Sequence, residues 1–327
     1  MSKSIVVLST GGTIASRRGE DGRSQAGQLT GEELVSQLSL PSTMQVQVHS
    51  VLQKPSNALS LEDLLLLREQ CLAFAAKPEV AGIVLTHGTD TLEDTAFFLQ
   101  SSLPHDLCPV VVTGSQRPPH ALGTDAYANL AAAIKVAASD QVHGAGVLVV
   151  FDESIFSANH VRKVNSFQLH GFDAPGFGHL GYIDGAKVTL FQRPHLPATL
   201  VPGTVLPRVD IVSVSLGAGP EQLAASVASG AVGVVLEAVG RGHVPPSWMP
   251  VIRELVEQGA VLALSTGCAQ GPLAPAYDFP GCMQELRDAG VYLASDLSAR
   301  KARLRLMLAL SGAQSEQALQ RLSLASE

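Results

Sequence analysis

Hydroxyl-bearing residues follow short apolar runs at four places in this chain. AGIVL leads into THGTDTLED (86–94), SIVVL into STGGTIAS (4–16), PVVV into TGSQRPP (109–119), and a later run into FDESIFSANHVRK (151–163). If each run is a parallel strand, these groups sit at strand carboxyl ends, where open α/β sheets bind their ligands. Thr10-Gly11-Gly12-Thr13 has the glycines of an anion-cradling loop but lacks the GKS or GKT ending of a nucleotide phosphate loop. It reads better as a turn exposing a threonine hydroxyl where backbone amides could stabilise a developing oxyanion. The plainer alternative applies to the other loop: Asp90 followed by Glu93 is a helix capping-box pattern, which needs no chemistry at all.

The elements that must position these groups follow from composition and periodicity. At 327 residues the chain is long enough for two ordinary domains. Hydrophobic residues make up 46% and charged residues 16%, which implies extensive buried strands and buried subunit contacts. The formal charge of -7, with no large Lys/Arg cluster, argues against nucleic acid as a partner and for a small molecule. Cys71, Cys108, Cys268 and Cys282 lie far apart with no CxxC spacing, so reduced thiols in a cytoplasm are expected rather than a disulfide framework. The IVVL run near the start is too short for a signal-peptide core, and no segment approaches membrane-spanning length.

SIVVLS, MQVQVHSV, AGIVLT, PVVVTG and GVLVVF alternate with helical stretches such as LEDLLLLREQCLAFA and TDAYANLAAAIKVAA, a βαβ signature. Strands that are apolar throughout are expected where helices cover both sheet faces. After a hairpin turning at Asp184-Gly185 comes a Pro-rich stretch without helical period, then a second series, DIVSVSL, AVGVVLEAV and AVLALSTG, and a helical KARLRLMLALS. The expected architecture is two α/β domains. Residues 1–190 form the larger, a doubly wound, mostly parallel sheet carrying most catalytic residues; 191–207 form a linker; and 208–327 form a smaller parallel-sheet domain.

TGGTIA, then HGTDTLEDTAFFL, then VVVTGSQRP resemble the signatures of the bacterial-type L-asparaginase family, and the similarity runs on through VRKVNSFQ, GHLGYIDG and SDLSARKARLRLMLAL. The resemblance covers most of the chain. It implies hydrolysis of the side-chain amide of L-asparagine, without a cofactor or metal, by a homodimer or homotetramer with sites at subunit boundaries. By family position Thr13 is the primary nucleophile, and Thr89, Asp90 and Lys163 form a second hydroxyl–carboxylate–amine set. Lys163 could serve as a base only if burial lowered its pKa. Asp90 is also expected to meet the substrate α-amino group, Ser56 its α-carboxylate, and Gly88 to line the same pocket. A covalent route through Thr13 is favoured; activation of water by Thr89 stays open.

The chain also departs from the family pattern. Many relatives carry a tyrosine in the loop after TGGTI, whereas RRGEDGRSQAGQLTG has none, and Ser24 or Gln25 stands near that place. An acidic residue from a neighbouring subunit is expected near GCMQELRD, with Glu285 the nearest candidate. His243, in GRGHVPP, replaces an asparagine of many relatives; a histidine there would crowd glutamine and change charge near neutral pH, unless it is a plain exposed loop residue. GFGHLG (176–181) matches a dinucleotide fingerprint but follows DAP and precedes a hairpin, so it reads as a turn-rich loop. Cys268 lacks a matching histidine motif, and no HxH or HExxH spacing occurs. His87 reads as structural. The rival functions are a dual glutaminase-asparaginase, the asparaginase-like subunit of an archaeal tRNA amidotransferase, and a non-catalytic amino-acid-binding protein.

Overall fold

The computed structural model describes residues 4–41, 44–312 and 319. The chain divides into two compact units, Met1–Thr199 and Leu200–Glu327. Residues 191–208 carry no helix or strand, and the division falls within them.

In the first unit, β1 (Ser4–Gly11) leads to a small hairpin, β2 (Arg17–Arg18) with β3 (Ser24–Gln25), then α1 (Gly31–Ser36) and β4 (Gln45–Lys54). Next come α2 (Leu61–Ala75), β5 (Val80–Thr86), α3 (Leu92–Ser102), β6 (Val110–Thr113), α4 (Ala126–Ala137) and β7 (Val147–Phe151). The unit ends with β8 (Ser154–Ser157), the short pair β9 (Arg162–Lys163) and β10 (Phe172–Asp173), and the hairpin β11 (Gly181–Asp184) and β12 (Lys187–Leu190).

The main sheet runs β12-β11-β8-β7-β6-β5-β1-β4. The five strands expected from the apolar runs, β4, β1, β5, β6 and β7, are mutually parallel, and β8, β11 and β12 extend them antiparallel. All eight residues of β1 are buried because helices cover both faces. Ile5, Val7, Val84, Val111 and Leu148 share one core with Leu34 of α1 and Leu130, Ala133 and Ile134 of α4. On the other face α2 packs on β5 and α3, and α3 on β6 and β7. The edge strand β4 departs from the apolar expectation: QVQVHSVLQK has only β1 as neighbour and alternates between exposed and half-buried residues along most of its length. Helix α2 starts where its sequence dictates, with Ser60 and Asp63 making a reciprocal capping box.

The second unit has four parallel strands, β13 (Val209–Ser213), β14 (Gly233–Ala238), β15 (Val261–Thr266) and β16 (Tyr292–Leu293), in that order. Its helices are α5 (Glu221–Ala228), α6 (Met249–Glu257), α7 (Met283–Asp288) and α8 (Ala299–Ser311). Trp248, Ile252, Leu262, Leu264 and Leu286 form its core, and α8 lies on β13, β14 and β15. Among the described residues no helix is long and apolar enough to cross a membrane.

Candidate active site

Strand register brings the hydroxyl-bearing loops to one edge. Ser9 of β1 is level with Thr86 of β5, and Thr86 with Thr113 of β6, while Gly11 is level with Lys54 at the end of β4. The segments leaving these strands, TGGT, Ser56, HGTDT and TGSQ, therefore start side by side. Glycines let three of them approach closely. A side-chain carbon on Gly12, whose φ is 80°, would overlap the backbone of Gly88. One on Gly88 would lie 2.8 Å from the Ser56 Cβ and Oγ, and one on Gly11 would lie 2.6 Å from the Lys54 carbonyl. The Thr91 hydroxyl adds a bond to the Ser56 carbonyl at 2.8 Å. Thr13 is half-buried and opens a single 3-10 turn, Thr13–Ala15, directly after the Gly12 contact.

The hydroxyls of THGTDT do different things. Thr89 is buried, and its oxygen accepts a hydrogen bond from the Lys163 ammonium at 2.8 Å. The same Nζ donates to Asp90 Oδ1 at 2.7 Å. Asp90 is open to solvent, whereas the Lys163 side chain is only 17% exposed. Lys163 arrives from β9, paired with Phe172 of β10, and its backbone N–H donates to Glu93 Oε2 at 2.6 Å. The capping-box alternative is therefore corrected. Helix α3 has Thr91 at its N-cap with no side-chain capping bond, and both Asp90 and Glu93 turn to Lys163. A tertiary ligand has taken both carboxylates of a local pattern.

His87 is fully buried, with Nδ1 2.7 Å from the Gly88 carbonyl and Nε2 2.9 Å from Thr95 Oγ1. A carbonyl can only accept, so Nδ1 carries the proton and Nε2 accepts from the threonine. Burial pushes its pKa down to about 4. It is a neutral strut under the loop.

Two residues at this edge escaped sequence reasoning. Glu93 is 3% exposed on a helix otherwise rich in buried apolar side chains, and a carboxylate on such a face was the available signal. Gln116 accepts from the Thr89 hydroxyl at 3.4 Å, and nothing local in TGSQRPP marks it.

Ser24 is exposed on β3 opposite Arg18, in a hairpin whose turn is closed by Gly19 N–H to the Arg23 carbonyl at 2.8 Å. Glu285 and His243 belong to the second unit. Glu285 accepts from the Gly281 N–H and from Arg253, both at 2.6 Å, and the Gly281 bond is the main cause holding its pKa below the usual value. His243 is half-buried against Tyr277 and Phe279, with ring centroids 5.4 and 4.9 Å away, and neither ring nitrogen has a hydrogen-bond partner among the described residues. The reading of His243 as an exposed loop residue fails. Desolvation also moves its titration to the acid side of the ordinary value, so the expected charge change is displaced below its ordinary pH.

The family model described as Asparaginase, N-terminal matches residues 4–196, spanning every strand exit of this edge, and that described as Glutaminase/Asparaginase C-terminal domain matches residues 208–322. The chain belongs to the asparaginase family. This asparaginase-family chain is 42% identical over 311 residues to the L-asparaginase of Bacillus licheniformis, covering 95% of this chain and 96% of that protein. It is 32% identical over 328 residues to the glutaminase-asparaginase of Pseudomonas fluorescens biotype A, covering 97% and 89%. The crystal structure of the probable cytoplasmic L-asparaginase from Campylobacter jejuni superposes with a TM-score of 0.88 at 28% identity, covering 98% of this chain and 99% of that one.

Proposed function

We propose that this asparaginase-family protein hydrolyses the side-chain amide of L-asparagine to L-aspartate and ammonia. The observation carrying this reading is the Lys163 amine, 2.8 Å from the Thr89 hydroxyl and 2.7 Å from the Asp90 carboxylate, at the edge where the Gly12 and Gly88 backbones meet beside the Ser56 side chain. The Thr13 hydroxyl attacks the amide carbon, the C–N bond breaks with release of ammonia, and water then cleaves the acyl-threonine ester, returning the hydroxyl. Thr89, Lys163 and Asp90 pass protons during these steps, Ser56 and Gly88 receive the substrate, and Asp90, exposed at the mouth of the site, meets the α-amino group. The sequence likeness to the Bacillus licheniformis L-asparaginase supports the choice of substrate.

A second reading has its own support: Lys163 Nζ lies 2.8 Å from the Thr89 hydroxyl and 2.7 Å from Asp90, so Thr89 could instead activate water for direct attack. Mass spectrometry of an acid-quenched reaction separates the two, with an aspartyl ester on the Thr13 peptide expected for the covalent route. The reading as a whole is tested by ammonia release from asparagine, glutamine and D-asparagine offered side by side. Release from L-asparagine fastest of the three is expected, and no release from it rejects the proposal.

His243 is assigned to substrate choice. An imidazole in place of a smaller amide is expected to disfavour the longer glutamine, so His243→Asn should shift the kcat/KM ratio toward glutamine at least about threefold, within what one methylene can discriminate. With the ring's titration moved to the acid side of the ordinary value, that shift should hold from neutral pH upward. An unchanged ratio removes His243 from selectivity. Ser24 stays the candidate for the missing tyrosine. Glu285, both of whose oxygens are engaged by Gly281 and Arg253, fits a helix-end anchor at least as well as a substrate contact. We assign the active species to a homodimer or homotetramer in the cytoplasm; the four free thiols and the likeness to the probable cytoplasmic L-asparaginase from Campylobacter jejuni fit that compartment.

A further inference from the structure

Gln116 leaves β6 three residues after its last residue, Thr113, and its backbone is pinned. Its N–H and that of Arg117 donate to the two oxygens of Asp125, each at 2.9 Å, and Asn129 ties Asp125 to the Gly114 carbonyl. The side chain then spans two segments. Nε2 donates to the carbonyls of Asn165 and Gln168, both at 3.0 Å, in the stretch that follows Lys163. Gly171 completes this seat, since a side-chain carbon there would collide with the Gln116 amide.

These two bonds fix which way the amide faces. Flipped, Oε1 would point at two carbonyl oxygens, so the nitrogen belongs there and Oε1 faces Thr89. An amide oxygen only accepts, and the Thr89 hydroxyl must therefore give its proton to Gln116 at 3.4 Å. That leaves a lone pair of the Thr89 oxygen for the Lys163 N–H at 2.8 Å. The 3.4 Å separation is long for a hydroxyl donor, so Gln116 directs the rotor more than it binds it.

We infer that Gln116 is a positioning residue for the proposed reaction: it sets the Thr89 hydroxyl so that its oxygen faces the Lys163 amine. The inference rests on the reading of Thr89 given above. No other hydroxyl acceptor at Thr89 performs this among the described residues, and the same side chain couples the rotor to the loop that carries Lys163.

The test compares Gln116→Met, which keeps the length and loses both functions, with Gln116→Glu, which keeps an acceptor toward Thr89 but loses the two N–H tethers. Thr89→Val is measured in parallel, with Tm, kcat and KM for asparagine on the purified full chain. Gln116→Met is expected to lower kcat at least about fivefold with KM changed less than about threefold, the signature of a lost transition-state arrangement. Gln116→Glu should recover part of that kcat while its Tm falls as far as that of Gln116→Met. A smaller kcat loss in Gln116→Met, or a Gln116→Glu no faster than Gln116→Met, overturns the inference and leaves Gln116 a loop tether. Near-normal turnover by Thr89→Val would instead overturn the reading of Thr89 beneath it.

Discussion

Thr89→Val is expected to lower ammonia release from asparagine at least about a hundredfold, the usual scale for loss of a positioned catalytic group, while the protein stays folded. Valine matches threonine in size, so the buried site is still filled. What disappears is the oxygen 2.8 Å from the Lys163 amine, together with the proton given to Gln116. Asp90 and Glu93 continue to hold Lys163 through its amine and its backbone, so the loss should appear in turnover rather than in far-UV circular dichroism. Thr13→Ala should fall by a similar factor. On the proposed mechanism the two hydroxyls serve one reaction, and groups acting as a unit are not additive, so the double variant should be little slower than the slower single. Near-normal release by either single variant would remove that residue from the mechanism, and losses that multiply in the double would mean two independent roles.

The second large effect concerns acid. His87 is neutral in the fold because burial lowers its pKa from 6.5 to about 4, whereas in the unfolded chain it titrates at its ordinary value. Between these values the unfolded state binds a proton that the folded state refuses. The stabilisation is therefore complete above about pH 6.5 and is lost as the pH falls toward 4, by about 3 kcal/mol in all at 1.36 kcal/mol per pKa unit. Protonation would put a hydrogen on Nε2 where the Thr95 hydroxyl now donates, and Thr95 would have to turn away. Urea unfolding of the parent and of His87→Gln at equal protein concentration, from about pH 4 to 7, isolates the effect, since acid losses shared by both cancel. The parent should lose about 3 kcal/mol more than the variant over that range. Parallel stability curves would mean that His87 titrates normally in the fold.

The parallel half of the large sheet was legible because strands buried on both faces read as unbroken apolar runs, as SIVVLS and AGIVLT do. The helical stretch LEDLLLLREQCLAFA coincides with α2, and the structure adds the Ser60–Asp63 capping box at its start. The β11–β12 hairpin could be read from Asp184-Gly185, though its two loop residues are 185 and 186, but not its attachment to β8. The two-residue strands β9 and β10 carry too little pattern to be seen, and one of them delivers Lys163. The tertiary contacts of Glu93 and Gln116 lay beyond sequence reasoning for another reason. Their partners are up to 70 residues away along the chain, so no local spacing encodes them. The Asp90–Glu93 pair shows the converse: a spacing that favours a cap was overruled by Lys163 of the distant strand β9, through its amine at Asp90 and its backbone N–H at Glu93.

The contact between the Gly12 and Gly88 backbones bears on how this protein could be re-engineered. In a saturation-mutagenesis library scored by activity, both positions should be as depleted as Thr13 or Thr89, because every replacement wedges the two loops apart. Neither has a side chain with which to do chemistry. A depletion map alone would rank them with the reacting groups, and only variants scored separately for folding and for turnover would sort them into spacers and reagents. Libraries meant to widen substrate range therefore gain nothing from randomising the glycine pair, and their diversity belongs at positions whose side chains can change without moving the backbone.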